Sequence, residues 1–473
     1  GICFAFGRLS LNSLRAAMNN EKMKVDRLNF VFKLLFLGLI LLLPLQASAS
    51  TLEEYTEARK IYLAAAASMA AYSNRPAGLV TEAFAQQGWK IVKREQVGSN
   101  ADVQFIFAWD ANSTPGKNHY LLAVAGTESK LDIKVDLRTR KVYFAGSTLE
   151  EFAANAARTD VPPDSPKVHE GFNQVAQILL SMETIQSQGE KTDKPKLMTS
   201  FLQENPADKV YLVGHSMGGA VVTLGAARLV DMGVRPEQIE VITLGAPTVG
   251  NEAFIQRYDG KFPLTRVIVE GDPVPLALRK VFGGYRHFGK ALDWPASYTL
   301  QGYFKHDMTV YLDVALKKYY LARRKAIDEG LLPVAKPSPG KPRLYVAPLK
   351  NSLPANLQEE FAFMQEGLLE KYEQILPGLV MDSGKSYDAT TLAKAAAAGC
   401  ELLVAPEIHA VKLQNEDNTY SVSLIQAVYR VQDGEFVSLS TYGSSTKVLT
   451  PLEALLHDAG EMMAESAGWV DTK

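Results

Sequence analysis

Cysteine is nearly absent. Cys3 and Cys400 are the two in 473 residues, which excludes a disulfide framework, and no Cys/His cluster has zinc spacing. Charge of one sign is missing too. Lys and Arg number 50 against 52 Asp and Glu, a net charge of −2, so nothing global favours nucleic acid as a partner. The apolar run Leu34–Leu45 is shorter than the about 20 residues a membrane span needs, and it contains Pro44. No internal repeat and no low-complexity segment is present. What remains is an ordinary globular composition, 47% hydrophobic and 22% charged, long enough for two or three domains.

The apolar run has the layout of a secretory signal peptide. Met23-Lys24-Val25-Asp26-Arg27 supplies a basic start, Lys33 a last positive charge, and Ala47-Ser48-Ala49 a small-residue cleavage site. Residues 23–49 are therefore expected to direct export, periplasmic or extracellular, with cleavage after Ala49. No Cys stands at the cleavage point, which argues against a bacterial lipoprotein. Residues 1–22 read as an over-extended start, with synthesis beginning at Met23. A mature chain with one thiol has no internal disulfide and must be held by its core.

Leu52 to Tyr72 is Ala-rich with interleaved charges and reads as a helix. Trp89 to Arg94 alternates as a half-buried strand does, and two further strand runs, Asp102–Trp109 and Tyr120–Ala125, flank the turn-forming stretch Asn112–Asn118. An antiparallel start follows. From Val168 strand and helix patterns alternate, with strands at Val210–Val213, Glu240–Leu244 and Thr265–Glu270, which predicts a mostly parallel sheet flanked by helices. Gly189 to Asp208 reads as a polar surface excursion. Four prolines between Pro333 and Pro342 mark a linker, and the pattern then restarts. Beyond it come a strand Leu344–Pro348, helices Asn356–Gln374 and Ala389–Ala398, and a strand Glu401–Val404. Strands Tyr420–Val431 and Glu435–Tyr442 follow, joined at Asp433-Gly434, and a closing helix Pro451–Ala467 ends the pattern. Residues 343–473 are thus expected to form a smaller α/β domain.

Gly214-His215-Ser216-Met217-Gly218 fits Gly-x-Ser-x-Gly, between the apolar strand and a helix that opens on small residues. A strand, a tight turn and a helix are what a nucleophile elbow requires. A serine hydroxyl needs a base within hydrogen-bond reach and a third group to orient that base. In this architecture the order is Ser, acid, His. Asp272 closely follows the strand Arg266–Val269, at the carboxyl end where functional residues of parallel sheets gather. Two histidines remain before the linker, His287 and His306, and triad logic demands one of them. His215 reads as packing or support of the site, and His169 as fixing the loop before a helix. The backbone N–H of Met217 is the expected first oxyanion donor.

Five ordered motifs resemble the class 3, fungal-type lipases. They are Ala125-Gly126-Thr127 with Leu131–Leu137, Val168-His169-Glu170-Gly171-Phe172, Gly214–Gly219, Gly245–Asn251 and Gly271–Pro275. The resemblance covers roughly Leu52 to Arg324. It implies an α/β-hydrolase over residues 50–332. His306 with Tyr311 resembles the family's His-x-x-x-x-Tyr, so the resemblance favours His306 over His287 as base. It implies Thr127 as the second oxyanion donor. The family commonly has Arg where Ala125 stands, a departure at a non-reacting position. A lid is expected between Glu128 and Lys167, with Leu149–Ala157 as a short amphipathic helix in it; a plain surface loop is the competing reading.

The expectation is an exported serine hydrolase of lipid carboxylic esters, of the triacylglycerol lipase or phospholipase A1 type. Ser216, Asp272 and His306 would act through an acyl-enzyme, without cofactor or metal. Its partners would be a lipid or ester substrate, peripheral lipid surfaces and, for the C-terminal domain, an envelope protein. The competing expectations are a binding protein on a retired hydrolase scaffold, and a thioesterase, short-chain esterase or peptidase sharing the same triad.

Overall fold

The computed structural model describes residues 50–97, 103–126, 140–185, 196–277 and 284–470. The signal-peptide expectation, Cys3, the segment Leu131–Leu137 and Thr127 lie outside them. The chain divides into two compact units, residues 58–321 with 334–473, and residues 1–57 with 322–333. In the smaller unit Lys325 pairs with Glu54 at 2.9 Å.

The larger unit is built on a seven-stranded sheet in which spatial order follows sequence order. Its strands are β1 (Trp89–Val97), β2 (Val103–Asp110), β3 (His119–Val124), β4 (Lys209–His215), β5 (Ile239–Leu244), β6 (Leu264–Val269) and β7 (Lys290–Trp294). β1 to β3 are antiparallel, and β3 to β7 are parallel. This is the mostly parallel α/β-hydrolase sheet with the antiparallel start expected from the alternation. β5 is buried along its whole length, as a central strand covered on both faces must be. β7 is an edge strand with mostly exposed side chains, so it carries no apolar signature and was not anticipated.

The helices that accompany these strands in the larger unit are α1 (50–70, from residue 58), α2 (Arg75–Gln86), α3 (Glu170–Leu180), α4 (Met217–Asp231) and α5 (Met308–Asp328, to residue 321). In α4 every residue from Gly218 to Leu229 is buried. Its small residues let it lie close on the sheet, and each buried Leu or Val adds about 1.5–3 kcal/mol of transfer free energy. Four short antiparallel strands (Lys141–Tyr143, Lys167–His169, Gly250–Asn251 and Tyr285–Arg286) form a side sheet. His169 ends one of them and caps α3, its Nδ1 accepting from the Phe172 N–H at 3.3 Å. The polar stretch 189–208 is not wholly a surface excursion. Residues 198–204 form a helix that buries Met198, Phe201 and Leu202, three apolar residues spaced for one face but masked in the sequence by their Lys-rich flanks.

After the prolines a second sheet forms. Its strands are β8 (Leu344–Val346), β9 (Lys350–Ser352), β10 (Val380–Met381), β11 (Leu402–Lys412), β12 (Tyr420–Arg430) and β13 (Phe436–Ser445). The order is β10-β8-β11-β12-β13, with β9 also pairing β11. Its helices are α6 (Phe361–Ile375), α7 (Thr391–Ala397) and α8 (Pro451–Glu465). Two expectations need correction. The helix foreseen from Asn356 begins as a 3-10 turn over Ala355–Glu360 and becomes α-helical at Phe361. The strand foreseen as Glu401–Val404 runs on to Lys412, through Pro406. Val404 accepts a hydrogen bond from Ala347 on the β8 side, and by alternation Pro406 faces that side. There it lies between the stretch paired with β8 and the stretch paired with β9, so its missing N–H costs no ladder bond.

The prolines do not separate the two sheets into different compact units. Lys371 of α6 donates to Gln86 of α2 at 2.6 Å, and the Tyr319 hydroxyl of α5 donates to Glu370 at 2.7 Å.

Candidate active site

Ser216 stands between β4 and α4 with φ 57° and ψ −130°. A non-glycine residue there is strained by about 1–3 kcal/mol, and the surroundings must enforce it. They do so by close approach. A Cβ on Gly218 would stand 2.0 Å from the Val124 carbonyl oxygen, and one on Gly214 would stand 2.4 Å from the Gly218 carbonyl carbon. The Ser216 N–H is tied to the Leu244 carbonyl at 2.9 Å. The turn places the hydroxyl at the N-terminus of the fifteen-residue helix α4, where N–H groups and the helix dipole favour negative charge. Met217 is the first residue of that helix, and its N–H belongs to this end.

Asp272 follows the carboxyl end of β6, with its own N–H bonded to the Val269 carbonyl at 3.0 Å. His306 stands two residues before α5. The structure brings the three together. Ser216 Oγ lies 2.8 Å from His306 Nε2, and His306 Nδ1 lies 2.9 and 3.0 Å from the two Asp272 oxygens. The carboxylate accepts, so Nδ1 carries the hydrogen and Nε2 is free to accept the serine proton. All three residues are buried, Ser216 and His306 each at 3% exposure, so these bonds face little competition from water.

The Asp272 carboxylate is filled on both oxygens. The Val274 N–H donates to Oδ1 at 2.9 Å, and the Tyr311 hydroxyl donates to Oδ2 at 2.5 Å while itself accepting from the Val269 N–H at 3.1 Å. Burial, and then the Asp272 charge, push the Tyr311 hydroxyl well above its usual range, so it stays a donor. Gly245 leaves the room for this pair: with φ 59°, a Cβ there would stand 2.6 Å from Asp272 Oδ2 and 2.8 Å from the Tyr311 oxygen. His287 is held elsewhere, its Nε2 donating to the Pro275 carbonyl at 2.6 Å.

His215 is not passive packing. Its Nε2 lies 2.8 Å from the His306 backbone carbonyl, which can only accept, so Nε2 carries the hydrogen. Nδ1 is then an acceptor, and the Tyr72 hydroxyl donates to it at 2.5 Å. That hydroxyl accepts from the Gly126 N–H at 3.1 Å. Burial, and then His306, hold the His215 imidazole well below its usual 6.5, which keeps it in this neutral form. One buried chain of bonds thus ties the end of β3, the elbow and the backbone of His306. Tyr72 is 54 residues from Gly126 and 143 from His215, so no local spacing could have revealed it.

Tyr72→Phe removes the central hydroxyl and leaves the ring. It strands a buried acceptor on His215 and a buried donor on Gly126, at about 1–3 kcal/mol each. The expected result is a kcat for ester hydrolysis lowered about tenfold by displacement of His306, with KM within about twofold. Steady-state kinetics on a soluble ester, beside a melting curve, check it; an unchanged kcat would show that the chain of bonds is purely structural.

The stretch where a lid was expected carries a helix over Leu149–Ala156, capped by Thr148. Its buried residue is Phe152, which lies against the buried guanidinium of Arg228, 3.9 Å from the ring centre. Arg228 also covers Phe144 at 3.4 Å and donates to the Ala145 carbonyl at 3.2 Å. Burial lowers its pKa to about 10.

Residues 121–281 match the family model described as Lipase (class 3). A lipase of Caenorhabditis elegans is 48% identical over 68 residues, 14% of this chain and 19% of that protein. The secreted mono- and diacylglycerol lipase 2 of Gibberella zeae is 30% identical over 200 residues, 37% of this chain and 44% of that protein. A rice phospholipase A1, EG1, is 29% identical over 164 residues, 31% of this chain and 37% of that protein. The chain therefore spans less than half the length of these curated relatives. Among solved structures, the triacylglyceride lipase of Rhizomucor miehei is 22% identical, with a TM-score of 0.37 over 50% of this chain and 80% of that one.

Proposed function

From a chain whose residues 121–281 match the class 3 lipase family, we propose an exported serine hydrolase that cleaves carboxylic esters of glycerolipids. The observation that carries it is the buried line from Asp272 through His306 to Ser216, with hydrogen-bond distances at each junction. Ser216 Oγ attacks the ester carbonyl carbon as His306 Nε2 takes its proton. Asp272 keeps the imidazole in the Nδ1–H form and stabilises the imidazolium. The Met217 N–H and Thr127 stabilise the tetrahedral oxyanion. His306 then gives its proton to the leaving alcohol, which frees an acyl-enzyme. Water, deprotonated by His306, attacks that ester, and His306 returns the proton to Ser216 Oγ as the acid leaves.

The substrate class rests on the relatives, two of which are named for monoacyl- and diacylglycerols and for phospholipids. Export rests on residues 23–49 and on relatives named as secreted. Residues 50–332 are assigned to the hydrolase and 343–473 to a C-terminal α/β region. A panel of esters of graded chain length, with and without a phospholipid head group, tests the reading. Release of fatty acid from diacylglycerol or from phospholipid is expected. Turnover confined to short-chain esters or thioesters would replace the lipid substrate with a smaller one.

A further inference from the structure

The segment that ends on His306 is held from two sides. Within α5, Lys317 reaches back to it, donating to Ser297 Oγ at 3.0 Å. The same ammonium lies 2.8 Å from Asp313 and 2.8 Å from Glu360, a residue beyond the prolines, and all three side chains are buried. Thr299 of the segment donates to the same Glu360 oxygen. Further along, the Tyr303 hydroxyl donates to the Leu449 carbonyl at 3.1 Å. Three residues after Tyr303 stands His306.

Between these anchors the packing is interrupted. A cavity of about 650 Å³ opens between Tyr298–Phe304 on one side and Asn356, Asn418 and Lys447 on the other. The ion cluster resists separation for a physical reason. Parting a buried ammonium from its carboxylates leaves an uncompensated buried charge, which is strongly unfavourable. Glu453 of α8 is also buried beside Asp313, and burial holds its carboxyl well above the usual range, which limits the negative charge around Lys317.

We propose that Lys317, Glu360 and Tyr303 are positioning residues for His306, so that the C-terminal α/β region is part of the mounting of the base and not an independent module. The inference rests on His306 being the base. Its test uses the full chain with Glu360→Gln and, as the milder variant that keeps the ring, Tyr303→Phe. kcat is measured per active site, titrated with a fluorophosphonate, well below the melting temperature. In parallel the Nδ1–H proton of His306 is followed by NMR on protein with ¹⁵N-labelled histidine. A misplaced base of about 1 Å can cost on the order of 10²-fold; for partial release of the segment we expect kcat per site to fall about tenfold, KM to stay within about twofold, and the Nδ1–H signal to shift or broaden. Variants with wild-type kcat per site and an unmoved signal, even with a lowered melting temperature, would overturn the proposal. A wild-type chain that hydrolyses no ester would sink the hydrolase reading instead, and the NMR signal would still decide whether the C-terminal region holds His306.

Discussion

Ser216→Ala is expected to lower kcat on any accepted ester by about 10⁴-fold or more, the usual cost of losing the nucleophile of an acyl-transfer triad. Without Oγ no acyl-enzyme forms, and what rate remains comes from binding and oxyanion stabilisation. The fold should not suffer. Alanine meets the same backbone strain at φ 57°, and the glycines that enforce the turn are untouched. The melting temperature should therefore be unchanged or slightly raised, since removing a functional group from a strained site often stabilises. Burst titration with a chromogenic ester, beside a melting curve, checks both. A variant that keeps its activity would remove Ser216 as the nucleophile and return the binding-protein alternative.

Asp272→Asn is expected to cost on the order of 10³–10⁴-fold in kcat with little change in KM, because the altered group never touches substrate. The carboxylate accepts from His306 Nδ1, the Tyr311 hydroxyl and the Val274 N–H, with His306 bridging both oxygens. An amide has one accepting oxygen. If its NH₂ takes the place of Oδ1 it meets the Val274 N–H, and if it takes the place of Oδ2 it meets a Tyr311 hydroxyl held as a donor. Either way a buried donor is unpaired, at about 1–3 kcal/mol of stability. In both places the NH₂ also lies beside His306 Nδ1; where it donates there, the ring hydrogen moves to Nε2, faces Ser216 and blocks proton transfer. Single-turnover kinetics and thermal unfolding separate the two effects. An Asp272→Asn enzyme within tenfold of wild type would mean that His306 is oriented by something else.

Much of this site was legible before any coordinates. The elbow could be read because its constraint is largely local: strand, glycine, serine and glycine lie side by side in the chain, and the clash a Cβ on Gly214 would make with the Gly218 backbone is a property of that turn. The position of Asp272 followed from the end of an apolar strand. The choice of His306 over His287 leaned on Tyr311, whose hydroxyl proves to sit on Asp272. By contrast β7, exposed at the sheet edge, has no burial pattern to read. The continuation of β11 past Pro406 was hidden because proline looks like a terminator unless the gap between its two partners is known. Tyr72 was invisible as a site residue, and sequence alone leaves the role of His215 open between packing and support.

The sequence by itself determined what short-range patterns can encode: the alternating elements, the strained serine, and the order of serine, acid and histidine. Tertiary structure decided which histidine faces Ser216, which tyrosine locks His215, and that residues beyond four prolines anchor the segment carrying His306. The physical reason is distance along the chain. Hydrogen bonds such as Tyr72 to His215, or Lys317 to Glu360, join groups 143 and 43 residues apart. Such bonds are dictated by how helices and sheets pack, and no window of sequence holds both partners.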